Sequence, residues 1–252
     1  MSTTTAEAPA ASRFAGLDTL RGFAVARIVL FHYTTNYHYL FGRHGTPTVD
    51  LHHTDFSVPM FFVVSGFVIP LTLQKCTSLR DFAFLRVSRL YPTFLVCIAM
   101  TFAAVATFGL PGREVSTGEA VVNLTMIPRV LGAGFIEPAC WTLQVELTFY
   151  ALMGALLVAG LLRVAPVVFL GMALVHAMAV RFGWQELEAM LLLQYAHLFA
   201  IGLLLFEMRY HRRPWHFVAF AAVWVVAYVD RGPAYLVWIA VFFALTALSV
   251  FR

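Results

Sequence analysis

The chain has 252 residues, of which 61% are hydrophobic and only 12% charged, with a formal net charge of +4. Soluble domains average about 25% charged residues, and a chain of this size cannot bury so large an apolar excess in one core. The composition excludes an ordinary soluble enzyme, and a small positive charge spread along the chain argues against a nucleic-acid partner. What remains is a polytopic membrane protein, with 24 Phe, nine Tyr and five Trp suited to lipid-facing surfaces and interfacial belts.

Residues 1–13 are polar and rich in Ala and Thr, without the basic and apolar regions of a signal peptide. They read as a disordered cytoplasmic tail, followed by one membrane-embedded domain over 14–252. A span needs about 20 mostly apolar residues. Eight segments qualify: 15–37, 56–74, 84–109, 141–162, 164–181, 189–207, 215–229 and 233–251. The predicted fold is therefore all-α, a membrane helical bundle with about eight transmembrane helices. The stretch 119–136, interrupted by Pro128, Gly132 and Gly134, reads as a re-entrant or surface helix. Base is richer in the loops that share a side with the N-terminus (Lys75, Arg80, Arg86, Arg89, Arg163, Arg209, Arg212, Arg213), which predicts a cytoplasmic N-terminus. Cys76, Cys97 and Cys140 lie far apart with no CxxC spacing, so neither a disulfide framework nor a metal site is expected.

The first segment holds LRGFAVARIVLFHY, with Arg21, Arg27 and His32 in a stretch otherwise apolar enough for hydrocarbon. An ionisable side chain there costs about 2.5–3.5 kcal/mol on insertion scales, so such groups face an interior or a ligand. Arg21 and His32 are eleven residues apart, close to three helical turns, which puts them on one face about 16 Å apart along the axis. Arg21 could alternatively snorkel to the headgroups beside Asp18. In the second segment Ser65 precedes Gly66, a pair that suits close helix packing or pore lining better than a nucleophile.

TSLRDFAFLRVSR carries a helix start, with Ser78 as cap and Asp81 three residues on, and sets Arg86 and Arg89 on one face at the inner boundary. Arginine grips phosphate oxygens in bidentate fashion, although anchoring to the inner leaflet would also explain the pair. Glu146, early in the fourth segment, needs a partner: it orients His32, binds hydroxyls of a substrate, or pairs with Arg27 and merely joins two helices. The loop 43–55 holds His44, Asp50, His52, His53 and Asp55 in a spacing that fits no recognised zinc motif. His176 and His197 have no motif context, and His211 and His216 sit in the basic stretch HRRPWH as interface anchors.

Four stretches resemble the acyltransferase family 3 membrane proteins, in the same order. They are GLDTLRGFAVARIVLFHY; VPMFFVVSGFVI with Phe61, Phe62, Ser65, Gly66 and Phe67; FLRVSRLYPTF with Arg86, Arg89, Tyr91 and Pro92; and WTLQVELTFY with Trp141, Leu143, Glu146, Phe149 and Tyr150. YAHLFAIGLLL resembles a later helix with a Phe…Gly pair. Three features depart from the pattern. Ser57-Val58-Pro59-Met60 replaces Gly-Val-Asp-Leu, Leu147 replaces an acid, and Arg252 ends the chain where members usually continue to about ten spans.

The resemblance implies a multi-pass protein of the bacterial inner (plasma) membrane. It would move an acyl group, commonly acetyl, from acyl-CoA on the cytoplasmic side to a hydroxyl of a carbohydrate or lipid-linked glycan, with no permanently bound cofactor. His32 would act as base or carry the acyl group covalently, with Glu146 as the second catalytic group. Arg21, Arg86 and Arg89 would meet the CoA phosphates, with Ser65, Trp141 and Tyr150 on the substrates. A proton-coupled or small-molecule transporter would also place charges in the first and fourth helices, but it predicts two related halves, which the sequence lacks.

Overall fold

Hydrocarbon offers a backbone amide no water, so a chain this apolar must satisfy its own N–H and C=O groups. It does so with helices: in the computed structural model, which describes residues 15–42, 57–109, 116–184, 191–211 and 213–251, there is no strand among the described residues. The elements are α1 Ala15–Phe31, a π segment His32–Asn36, α2 Tyr37–Phe41, α3 Ser57–Leu73, α4 Leu79–Phe108, α5 Thr117–Asn123, α6 Trp141–Val158, α7 Ala165–Phe182, α8 Leu191–Tyr210, α9 Pro214–Arg231 and α10 Pro233–Phe251. Each of the eight apolar segments is mainly helical over its described residues. Among the described residues four helices are long and apolar enough to cross a membrane: Leu79–Phe108, Pro138–Val158, Leu162–Phe182 and Leu192–Tyr210. Ser57–Leu73, Pro214–Val229 and Tyr235–Phe251 are shorter apolar helices, and α1 carries Asp18, Arg21 and Arg27 within its 17 residues. The tail and the loop 43–55 with its histidines lie outside the described residues.

Local chemistry explains where helices start. α4 begins five residues before its apolar run because the Ser78 hydroxyl accepts from the Asp81 amide at 3.1 Å and caps it. The stretch 119–136 is one short helix, α5, followed by a 3₁₀ turn at Pro128–Leu131, since Pro128 cannot continue an α-helix and Gly132 turns left-handed at φ 76°. A reciprocal cap opens α5: Ser116 Oγ accepts from the Glu119 amide, and the Glu119 carboxylate accepts from the Ser116 amide at 2.9 Å, which holds that carboxyl below its ordinary value.

Asn123 ties this segment together. Its Nδ2 donates to the carbonyls of Glu119 and Gly134 at 2.9 and 2.8 Å, and its Oδ1 accepts from the Ile136 amide at 3.0 Å. The side chain is 1% exposed, so no water replaces those bonds. Asn123→Ala should destabilise residues 117–140 by roughly 2–3 kcal/mol, because it orphans two buried backbone groups. Hydrogen exchange should speed up in that segment and nowhere else; unchanged exchange there would refute the assignment.

The centre of the bundle is the α3–α8 pair. Of the apolar window of α8, 72% is buried inside the protein, against 17% for α4, which therefore lies on the periphery. Lipid tails are as apolar as leucine, so helices in a bilayer associate by shape and close approach. Gly66 of α3 and Gly202 of α8 provide it: a Cβ at Gly66 would stand 2.5 Å from the Phe199 carbonyl oxygen, and one at Gly202 would overlap the Val63 carbonyl. Beside this crossing, Phe149 of α6 stacks on Phe199 with ring centroids 4.1 Å apart and meets Phe169 of α7 edge-on. Such pairs add about 0.5–1.5 kcal/mol beyond their buried area.

Candidate active site

A cavity of about 320 Å³ opens where α1, α3, α4 and α6 meet, on the flank of the bundle. Its polar lining is Arg21, Ser65, Arg86, Arg89, Thr142, Glu146 and Tyr150; its apolar lining includes Ile28, Phe61, Phe62 and Leu143. The sequence places these groups up to about 130 positions apart. Helix geometry collects them: Arg86 and Arg89 share a face of α4, and Glu146 and Tyr150 share a face of α6 one turn apart.

Glu146 is held from two sides. Ser65 Oγ donates to its Oε1 at 3.2 Å, and the Tyr150 hydroxyl donates to the same oxygen. Both bonds fall on Oε1, so Oε2 keeps its acceptor capacity for the cavity. Glu146 makes no salt bridge with Arg27 among the described residues, so the helix-joining pair is replaced by hydroxyl contacts. Ser65 thus serves polarity and Gly66 serves packing, within one dipeptide.

Arg86 is 8% exposed, and its position is fixed. Its Nη2 donates to Thr72 Oγ1 at 2.8 Å, and its guanidinium lies over the rings of Phe82 and Tyr150 at 5.7 and 5.5 Å. Thr72 in turn donates to the Val68 carbonyl at 3.2 Å. Thr72 is a residue that motif reading missed; only the α3–α4 hairpin, which brings position 72 beside position 86, reveals it. Arg21 faces the same space, within electrostatic range of Arg89 and Glu146, and makes no salt bridge among the described residues. Three guanidiniums around one carboxylate leave the cavity net positive, which favours a polyanionic ligand.

Trp141 stands behind the lining. It packs on Tyr195 at 5.3 Å and edge-on to Phe62 at 6.3 Å, and Phe62 faces the cavity. His32 is exposed and is not among the lining residues. Ile28 does line the cavity, and His32 falls four positions beyond it, in the π segment and outside the lining. His32 Nδ1 meets Asn36 Nδ2 at 3.2 Å. His32 also begins the π segment, in which the Tyr37 amide reaches back five residues to the His32 carbonyl. Single π turns are rare and concentrate at functional sites.

A family model described as "Acyltransferase domain" matches residues 14–251, nearly the whole chain. The chain belongs to this acyltransferase family. Among curated proteins it is similar to nodulation protein 10 of Rhizobium leguminosarum bv. viciae, 30% identical over 158 residues, covering 56% of this chain and 43% of that protein. It is also similar to acyltransferase MdmB of Streptomyces mycarofaciens, 30% identical over 155 residues, covering 56% of this chain and 38% of that protein. The matched part is thus well under half the length of either relative. No solved structure matches significantly.

Proposed function

We propose that the protein is a membrane O-acyltransferase. It takes an acyl group, most simply acetyl, from acyl-CoA and transfers it to a hydroxyl of a carbohydrate or lipid-linked glycan at the bacterial inner membrane. The observation that carries this reading is the cavity itself: Arg21, Arg86 and Arg89 converge with Glu146 between four helices inside the family-matched region. A transporter reading finds no comparable support, because the match is to acyltransferases.

In this reading the CoA phosphates meet the arginines from the side that loop basicity assigns to the cytoplasm, and the pantetheine arm runs along the Arg21–Ile28 face of α1. Glu146 Oε2 accepts a hydrogen bond from an acceptor hydroxyl. His32 takes the proton of the attacking hydroxyl, the oxygen adds to the thioester carbonyl, the C–S bond breaks, and the proton passes to the departing thiolate. Nδ1 of His32 accepts from the Asn36 amide as the two groups now stand, which leaves Nε2 the protonated nitrogen. Base action at Nε2 requires the Asn36 amide to turn so that its oxygen accepts from Nδ1–H.

The test is thiol release. Purified protein in detergent with acetyl-CoA should free CoA only when an acceptor sugar is supplied. Arg21→Ala should raise the KM for acetyl-CoA by about 10- to 100-fold, because a charge-assisted contact to phosphate is worth about 1.5–3 kcal/mol. Arg21 makes no structural bond among the described residues, so the variant should fold. A rise confined to the acceptor's KM would refute the donor assignment, and failure to consume acetyl-CoA with any acceptor would refute the activity.

A further inference from the structure

A second cavity, of about 370 Å³, lies among helix ends away from the first. The C-terminal ends of α3 and α8 reach it, and α7 and α9 both start there. Two helix N-termini converge here with the positive ends of their dipoles, while Pro166 and Pro214 bring no N–H and the Ala165 and His216 amides are bonded to the Leu162 and Arg213 carbonyls. Arg163 stands two residues before α7 and Arg213 immediately before α9, both lining the cavity, and neither forms a salt bridge among the described residues.

The histidine chemistry has the same sign. The His216 side chain is 1% exposed and lines the cavity. Its Nδ1 accepts from the Arg213 amide at 3.2 Å, so in the neutral ring the proton sits on Nε2. That Nε2 makes no hydrogen bond: it faces the Glu207 carboxylate at ion-pair distance, 3.8 Å, on the oxygen that His211 meets at 3.1 Å. A buried donor without an acceptor is costly, and an anionic oxygen would satisfy it. A cation would fit poorly, since no group of three His, Cys, Asp or Glu among the described residues is arranged to hold a metal ion. Apart from Gln74 the rest of the lining is apolar, with Phe206 and Trp215 at hand for the uncharged part of a ligand.

We propose that this cavity binds a phosphate ester, its oxygens on Arg163, Arg213 and His216 and its apolar or aromatic remainder on Phe206 and Trp215. Two sources share that chemistry: the headgroup of an anionic phospholipid, and a soluble nucleotide phosphate. The site is separate from the transfer chemistry, and its test reads binding rather than turnover. The full chain is purified in phosphate-free neutral detergent and titrated in two arms, with phosphatidylglycerol micelles against a phosphate-free glycolipid, and with adenosine 3′,5′-bisphosphate. Trp fluorescence and thermal unfolding report occupancy.

Saturable binding in one arm is expected, and it names the source. Arg163→Gln and Arg213→Gln, both exposed positions that should fold, should each weaken it about tenfold. Both arms are read in the Arg21→Ala background, so that phosphate held by Arg21 in the first cavity is not counted as occupancy of the second. Absence of saturable binding in both arms overturns the proposal, as does binding that the Arg163 and Arg213 variants retain.

Discussion

Gly202→Leu should leave almost no folded protein. A side chain at this position would meet the Val63 carbonyl and the Gly66 backbone of α3, and backbone atoms cannot step aside as a flexible side chain does. Overpacking that can relax costs about 1–3 kcal/mol. Here the only relaxation is to part α3 from α8, which would also pull Phe199 off Phe149 and open the aromatic cluster. The loss should exceed that range and take a large share of the 5–15 kcal/mol that typically stabilises a domain. Size-exclusion chromatography and tryptophan fluorescence in detergent would report it as aggregation or loss of the monodisperse peak. Gly202→Ala should yield protein with a lowered Tm. A leucine variant that elutes and melts like the native chain would mean that the two helices do not cross here.

His32→Ala should lower kcat by about 10²–10⁴ with little change in the KM for acetyl-CoA, the ordinary contribution of a positioned general base. Among the described residues the exposed imidazole touches only Asn36 and, edge-on, the neighbouring ring of Phe31, so the variant should keep its fold, and lost turnover would be chemical in origin. Glu146→Gln separates the two catalytic assignments. The amide keeps the shape and can still accept from Ser65 and Tyr150, but it loses the charge that holds an acceptor hydroxyl, so its main effect should fall on the acceptor's KM. If instead Glu146→Gln removed turnover and His32→Ala left it intact, the base would be the carboxylate inside the cavity. Asn36→Asp offers a further check, because a carboxylate can only accept from Nδ1–H and so favours the tautomer with a basic Nε2. Its kcat should be retained or raised.

Local rules read well from this sequence. Ser78 and Asp81 announce the cap of α4, and the cap is there, with Thr77 added at 2.5 Å from the Asp81 carboxylate. The Ser65-Gly66 pair announces a close helix approach, while only the structure shows that its partner is Gly202, with Phe199 packing beside the crossing. Arg86 and Arg89 sharing a face followed from their spacing. What periodicity could not supply was the identity of neighbours in space. Glu146 had three candidate partners on charge and position. Its protein partners lie outside those three: they are the hydroxyls of Tyr150 and of Ser65, 81 residues away, and the latter depends on a helix arrangement that no local signal encodes. The second cavity was hidden for the same reason. Arg163, Glu207 and His216 lie in different loops and helix ends, and each alone looks like an anchor at the membrane boundary.

The π segment at His32 has a consequence for anyone editing this helix. A turn closed by five-residue reach-back bonds contains an extra residue relative to an α turn, and each residue is worth about 100° of rotation. Excising one position between His32 and Asn36 would let the coil wind evenly and leave Tyr37 facing nearly as it does now relative to Arg21 and Ile28, because five residues of a π turn sweep nearly the angle of four α residues. The segment therefore works as a register offset, and numbering by heptads or turns cannot be carried across it.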